Sequence, residues 1–490
     1  MTSSKSTKRA LISSALALLM CVTMLVGATF AWFTDTASTG VNKIVSGNLK
    51  VDIIGANSDS HIEKLNFTKA AVTDAEAGAE ILWEPGCLYL TEGFRIANKG
   101  NLALKWKAQV NTGTTVANEG NFDLLDVIDF YLVTKAADGT ETETALDVFT
   151  GNLKKTETSD VYYIKGVMQT TAGNDYQGLT LDGISITVVA TQDTVESDSF
   201  DNQYDKDAEY PILVTTGDEL QAIVSNATAP VNIVLTNSIT TNNFVIPEDK
   251  DVTLDLNGRT VTNAGSHTIL NKGHLTLTDS SADKSGQIIS LKGNTAALRN
   301  GDNAVCVVEG GTISRDGANG NTWHVVENFG KMIFNGGKVV LKNGNGFAIT
   351  NGWNYFDPGA STTHAVMEIN ALELDTDSSG IKNCRYGDLT VNDVTVTSTG
   401  YWALSNDYLG TAVINGGTLT SNSFKAVSNG AAMTVNGGTF DGTQGLFVQS
   451  YATSTVLNGG TFANMNVDAL SSYVGTGHTA QQSGTSVIIK

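Results

Sequence analysis

Proline and cysteine are scarce, at five and four in 490 residues, and Lys plus Arg (30) fall well short of Asp plus Glu (50). Each shortage excludes something. A chain of formal charge −20 lacks the cationic surface needed to hold phosphate backbones or anionic lipid, so nucleic acid is not expected as a partner. Cys21, Cys87, Cys306 and Cys384 lie far apart with no CxxC spacing, which argues against a disulfide framework or a zinc site. Cys306 and Cys384 could pair, and buried single thiols are the simpler reading. Long apolar runs are also missing, with one exception at the start.

That exception is residues 10–33, 24 positions without a charge, long enough to cross a bilayer as a helix. Lys5, Lys8 and Arg9 precede it, and Thr29 and Ala31 put small side chains at the −3 and −1 positions of a cut before Trp32. This is the layout of a signal peptide over 1–31. Cys21 as a lipid-attachment site is disfavoured by the bulk of Met20 before it, and "GTSVIIK" at the C-terminus carries no cell-wall sorting pattern. The expected location is extracellular, at the cell surface or in a matrix. Removing 1–31 takes away three cations and no acid, making the remainder still more acidic.

What is abundant is glycine, 50 residues, together with Thr, Asn and Val, the composition of many short strands joined by tight turns. The length implies two or three domains. Residues 44–53 alternate as a half-buried strand. In the segment 82–110, Phe94 and Ile96 share a face, "NKGN" (98–101) reads as a turn with Gly100 at positive φ, and Leu102, Leu104, Trp106 and Ala108 resume the apolar face. That pattern predicts a hairpin. "VIDFYLV" and "GISITVVATQ" add strands, and an antiparallel jelly-roll sandwich over 32–205 is expected.

The join "TFAWFTDTASTGVNKIVSGNLKVDI", the "W-x-PG … F-x-I-x-N-x-GNLALK" segment and the late "YQG … ITVVATQ" segment together resemble the TasA/camelysin family of exported matrix proteins. The resemblance implies processing by a SipW-type signal peptidase and self-association into fibres, in which an extended N-terminal segment completes a neighbour's sheet. On that analogy residues 32–45, anchored by Trp32 and Phe33 and ending at Ile44 and Val45, are the donated strand; the other reading is an ordinary first strand of their own domain. Camelysin-type members have also been classed as metalloproteases. No HExxH is present, and His61 with Glu63 cannot fill a catalytic zinc shell.

An acidic, aliphatic-poor stretch places a linker at 206–215. Thr216 and Glu219 then form a capping box for a short helix with Leu220, Ile223 and Val224 on one face. Beyond it a phrase recurs: "VVEGGTIS", "IFNGGKVV", "VINGGTLT", "TVNGGTFD", "VLNGGTFA". It aligns Glu309, Asn335, Asn370, Asn392, Asn415, Asn436 and Asn458, with a period near 22 over the last intervals, which suits one coil of a three-sheet right-handed parallel β-helix over 216–490. A second phrase, "FAITN", "WALSN" and "KAVSN", ends at Asn351, Asn406 and Asn429. Stacked coils would line these amides into ladders along the axis. About ten coils at roughly 4.8 Å give a rod on the order of 50 Å long, capped by 467–480. This half, especially at "VTLDLNGRTVT", resembles the pectate-lyase-like β-helices of bacterial surface proteins.

Chemistry on such a rod needs clustered carboxylates. Asp375 and Asp377 share a strand face with Arg385 nearby in sequence, a place for a lyase-like site or for a structural calcium ion; no other cofactor is expected. Aromatic faces stack on sugar rings, and the insertion "NGWNYFDPG" (351–359) marks Trp353, Tyr355 and Phe356 as a contact patch for an extracellular polysaccharide or cell-surface glycan. Phe347 and Trp402, in phase with Ile349 and Leu404, are expected to stack inside. The leading reading is a secreted structural or adhesive matrix protein, not an enzyme. The alternatives are a β-helix polysaccharide lyase or hydrolase, and a camelysin-like metalloprotease. If the signal reading holds, N-terminal sequencing of secreted protein will begin at Trp32; an intact 10–33 run would refute it.

Overall fold

A computed structural model describes residues 48–490, apart from 63–64, 69–80, 82, 113, 116–121, 137–138, 147, 183–184, 194–208, 264, 317–322, 345 and 354–362. The cleavage residues Thr29, Ala31 and Trp32 and the assembly strand with Phe33, Ile44 and Val45 therefore lie outside the described residues. The chain is all-β. Among the described residues no helix is long and apolar enough to cross a membrane.

The first half forms two antiparallel sheets over a shared core. One runs in the order Val51–Gly55, Phe94–Asn98, Tyr162–Met168, Leu88–Thr91, Phe67–Thr68, with Ile128–Lys135 and Glu141–Ala145 joined to it; the other is Ser185–Gln192, Leu104–Asn111, Phe149–Leu153. Alternation places Phe94, Ile96 and Ile164 from the first against Leu104, Trp106, Ala108 and Leu153 from the second. Each large side chain so buried contributes about 1.5–3 kcal/mol. Gly151 leaves room for the indole, since a Cβ there would sit 2.6 Å from the Trp106 ring.

The expected 98–101 hairpin does not form. Phe94–Asn98 pairs with Val51–Gly55, whereas Leu104–Asn111 pairs with Ser185–Gln192 and Phe149–Leu153, so the turn carries the chain from one sheet to the other. Asn98 drives the change of direction: its Nδ2 donates to Leu102 O (2.7 Å) and Lys154 O (3.1 Å), and its Oδ1 accepts from Gly100 N (2.9 Å). Nor does Gly100 occupy positive φ. A Cβ at that position would strike Asn48 O at 2.2 Å, so close backbone approach explains the glycine.

The second half is a parallel β-solenoid whose coil visits three sheets in turn, beginning with Val231–Leu235, Ile239–Thr241 and Val245–Ile246; the sheets hold eleven, twelve and nine strands. Register keeps like on like. In the second sheet Val261, Ile288, Ile313, Val339, Leu374, Val396, Leu419, Phe440 and Phe462 form one inward column. Phe440 and Phe462 stack with centroids 4.8 Å apart, 18° from parallel. At the repeated "NGG" corner the second glycine takes φ of 91° at Gly337, 96° at Gly417 and 107° at Gly438, a region closed to most side chains.

The helix Gly217–Asn226 starts where expected. Thr216 Oγ1 accepts from Glu219 N (3.2 Å) and Glu219 Oε2 from Thr215 N (2.9 Å), with Leu220 and Val224 buried. Gln221 does something unforeseen: its amide donates to Val245 O (3.0 Å) and accepts from Val245 N (2.8 Å). The side chain thus satisfies the first strand of the third sheet, which otherwise presents an open edge. At the far end the hairpin Ala480–Ser483/Ser486–Ile489 adds antiparallel to Gly460–Phe462.

Both expected amide ladders are present, and they run in opposite senses. On the exposed corner each Nδ2 donates towards the N-terminus, from Asn458 through Asn436, Asn415, Asn392, Asn370 and Asn335 to Glu309 Oε1, at 2.7–3.0 Å. In the interior the donors point to the C-terminus, from Asn271 through Asn300, Asn328, Asn351, Asn383, Asn406 and Asn429 to Thr455 Oγ1, at 2.7–2.9 Å. The interior amides also reach backbone carbonyls, as Asn383 does to Thr411 O (2.9 Å), so the buried network is satisfied. Asn383→Ala takes the donor from the Asn406 oxygen and from the carbonyls of Gly387 and Thr411 and should cost about 1–3 kcal/mol. Asn415→Ala, on the exposed ladder, should cost about 0.5 kcal/mol or less. Urea unfolding of the two variants gives the comparison.

Candidate functional site

The third sheet carries an apolar-x-Asn triplet on successive coils: Ile269-Leu270-Asn271, Leu298-Arg299-Asn300, Val326-Glu327-Asn328, Ile349-Thr350-Asn351, Ile381-Lys382-Asn383, Leu404-Ser405-Asn406 and Val427-Ser428-Asn429. The first residue enters the core and the third joins the interior ladder. Strand alternation then sends the middle residue to the outer face, where Arg299, Lys382 and Ser405 are partly exposed while Glu327 (3%), Thr350 (5%) and Ser428 (2%) are covered by neighbouring side chains. The resulting outer column is Leu270, Arg299, Glu327, Thr350, Lys382, Ser405, Ser428 and, on the last strand, Phe447.

Aromatic rings flank this column on both sides. Where the chain arrives from the second sheet stand Trp323, Phe347, Trp402 and Phe424; where it leaves for the first stand Phe329, Trp353, Tyr386, Tyr408 and Tyr451. Contacts tie the rings to the column. Trp323 Nε1 donates to Glu327 Oε1 (2.9 Å), Arg299 NH1 meets Glu327 Oε2 (3.2 Å), and the Arg299 guanidinium lies 4.7 Å from the Phe329 centroid. Phe329 in turn packs on Trp353 at 4.5 Å. Lys382 Nζ pairs with Asp407 Oδ2 (3.2 Å) and sits 5.5 Å from the Phe347 ring. Tyr451 lies over Gly430, where a Cβ would come within 2.7 Å of its ring. Its coil lacks a ring of its own at that corner, and the neighbouring coil's tyrosine fills the place.

Beneath the upstream part of this face is a buried charge. Arg315 is 1% exposed, and its guanidinium donates to the carbonyls of Thr295, Lys292 and His324, clamping the corners that carry Thr295 and Trp323. Burial lowers its pKa to about 10, with Glu327 opposing the shift. His267 and His324 are held below the ordinary imidazole value, chiefly by burial. His324 Nδ1 contacts Phe347 O (3.0 Å), and His267 Nδ1 accepts the Ala296 N–H (2.8 Å). Burial pushes the thiols of Cys306 and Cys384 up to about 12, and both are unpaired.

The residues singled out from sequence fall variously. Asp375 pairs with Lys342 (2.8 Å), and Asp377 accepts from the backbone N–H of Asn343 (2.5 Å) and Gly344 (3.2 Å). Arg385 is not beside them: it lies past the third sheet, bridged through its backbone to Trp353. Among the described residues no three His, Cys, Asp or Glu side chains converge as a metal site. Trp353 joins the aromatic flank, while Tyr355 and Phe356 lie outside the described residues. In the first half, His61 contacts Asp52 (2.6 Å), and Glu63 lies outside the described residues.

Phe347 and Trp402 are not in the internal stack that their spacing suggested. Ala348 with Ile349, and Ala403 with Leu404, are consecutive buried pairs, so alternation is broken at the entry to the strand, within Phe347–Asn351 in one coil and just before Leu404–Asn406 in the other. The two-residue period fails there and both rings turn outward. Sequence reasoning missed Arg299, Glu327 and Lys382. Extending the triplet from Asn351 back to Asn271 and on to Asn383 would have found them, as the charged residues at its variable position.

No protein-family model matches the chain, and no curated protein matches it. Among solved structures it is matched to the catalytic domain of a GH87 α-1,3-glucanase variant in complex with tetrasaccharides, at 10% identity and TM-score 0.19, covering 83% of this chain and 99% of that one. The expectation that the chain is not an enzyme is corrected by that match and withdrawn. At this TM-score the likeness assigns no activity.

The depressed histidines fix the direction of a pH effect. A group whose folded pKa lies below its unfolded value is stabilising above the unfolded pKa, about 6.5 for His, and this contribution is lost as pH falls through it towards the folded value. Thermal stability should therefore fall between neutral and mildly acidic pH, and His324→Gln should flatten that slope. A slope unchanged in the variant would show that His324 does not contribute.

Proposed function

We propose that this protein is an exported, carbohydrate-active β-solenoid that engages a linear polysaccharide along the outer face of its third sheet. The observation that carries this reading is the double row of aromatic rings flanking a polar and charged column. Aromatic faces suit the apolar faces of pyranose rings, and Arg299, Lys382 and Asp407 supply donors and acceptors for hydroxyl groups. Concave or flanked surfaces with convergent polar groups are where ligands bind. Coils repeat at about 4.8 Å, close to the advance of an extended glycan per sugar, so each coil can meet one unit.

Export is supported by the charge-free run after Lys5, Lys8 and Arg9 and by the small residues Thr29 and Ala31. The matrix-fibre reading of the jelly-roll type keeps one observation in its favour. Val51–Gly55, which follows 32–45 in the chain, is the outermost strand of its sheet, where an added strand would pair.

The test is binding and turnover on a panel of α-1,3-glucan, β-1,4-glucan and polygalacturonate. We expect saturable binding to one of them, weakened about tenfold, or roughly 1.4 kcal/mol, by Phe347→Ala. Turnover is read as released reducing ends. Absence of binding across the panel overturns the reading.

A further inference from the structure

The downstream end of the third-sheet face differs from the rest. Trp402 and Phe424 meet edge to face at 4.7 Å, and Trp402 and Phe447 lie nearly parallel at 6.0 Å. Over them sits Lys425, whose Nζ is 3.4 Å from the Phe447 centroid, 5.7 Å from Phe424 and 5.8 Å from Trp402. In a chain with 50 acidic residues this ammonium has no carboxylate partner among the described residues and rests on rings instead. Tyr401, 57% exposed, extends the cluster against Phe424. Side chains this apolar, half-buried on the outer sheet face beneath a cation, form a ready-made stacking surface.

Register fixes how far this surface lies from Glu327. The column from Glu327 through Thr350, Lys382, Ser405 and Ser428 to Phe447 advances one coil at a time, a span of about 24 Å at coil spacing. Trp402 opens the cluster near the Ser405 coil. A glycan lying along the rod with one unit at Glu327 therefore reaches these rings only when it extends about three to five further units. Resting on the polysaccharide reading above, we infer that Trp402, Phe424 and Phe447 form a remote sugar-stacking platform that selects oligosaccharides of about five units and longer. Binding energy gained there is independent of the groups at Glu327, so it adds to the affinity of long chains alone. Lys425 lies across the Phe447 face in the free protein, and a sugar stacking there moves the amine to the rim, where it can donate to ring hydroxyls.

The experiment is calorimetric titration with length-graded probes, di- to octasaccharides from α-1,3-glucan, cellulose and polygalacturonate. In the native protein, affinity for the series that binds should step up by about tenfold as the chain passes about five units. Trp402→Ala and Phe447→Ala, each checked for native melting, should abolish the step, so that long and short members bind alike. Should one of them melt early, the other alone decides. A flat length profile in native protein that binds oligosaccharide defeats the platform and leaves the polysaccharide reading standing, as does a step that survives both substitutions. Absence of binding by any member overturns both.

Discussion

The structure depends on register between consecutive coils, and the buried asparagine ladder is what makes that register unique. Hydrophobic columns alone forbid a slip of one residue but tolerate a slip of two, which keeps the same face inward, because Leu, Ile and Val substitute for one another with little cost. An amide cannot. Displace one coil by two residues and an asparagine side chain leaves the line, abandoning a donor on one neighbour and an acceptor on the other inside a medium with no water to replace them. Every interior asparagine from Asn271 to Asn429 is at most 1% exposed, so each carries that penalty. The ladder thus converts a repeat that would stack loosely into one that stacks in one way.

The same constraint creates the site. Two positions of the apolar-x-Asn triplet are committed to the core and the ladder, and the middle position is left free by strand alternation. Charge appears there at Arg299, Glu327 and Lys382, and rings gather at the corners, where each coil can change length. Intervals along the interior ladder are 29, 28, 23, 32, 23 and 23 residues, yet the donor–acceptor distances stay at 2.7–2.9 Å. The additional residues are absorbed between strands. A rigid interior with variable corners lets functional groups change without loss of the stack.

Much of this was legible beforehand. The 22-residue period, both ladders and the helix at Thr216 follow from spacing and capping alone, since each rests on local residue types in fixed phase. What escaped reading depended on tertiary geometry. Asn98 and "NKGN" have the composition of a hairpin turn, but composition does not say whether the following strand returns beside its predecessor or crosses to a facing sheet. Phe347 and Trp402 fell on an apolar phase that breaks at the entry to the strand. Gln221 gave no sign that its amide would stand in for a neighbouring strand. The charged column is masked by its own variability: "LRN", "VEN" and "IKN" share with "FAITN" only the asparagine and an apolar residue two positions before it.

The opposed senses of the two ladders explain their ends. A line of amides that all donate in one direction finishes on a group that need only accept, and at the other end begins with an oxygen needing a donor. The exposed ladder terminates on Glu309, whose ionised carboxylate accepts and does not donate, and the strengthened charge-assisted bond from Asn335 closes it where the chain is in contact with water. The interior ladder cannot end on a carboxylate without burying a charge. It ends instead on the Thr455 hydroxyl, which accepts from Asn429 and, being neutral, carries no ionic desolvation penalty. Glutamate at the position where six other coils place asparagine or its degenerate copy is therefore no lapse in the repeat: it marks the end at which an acceptor alone is needed, on the side of the rod where a charge can remain solvated.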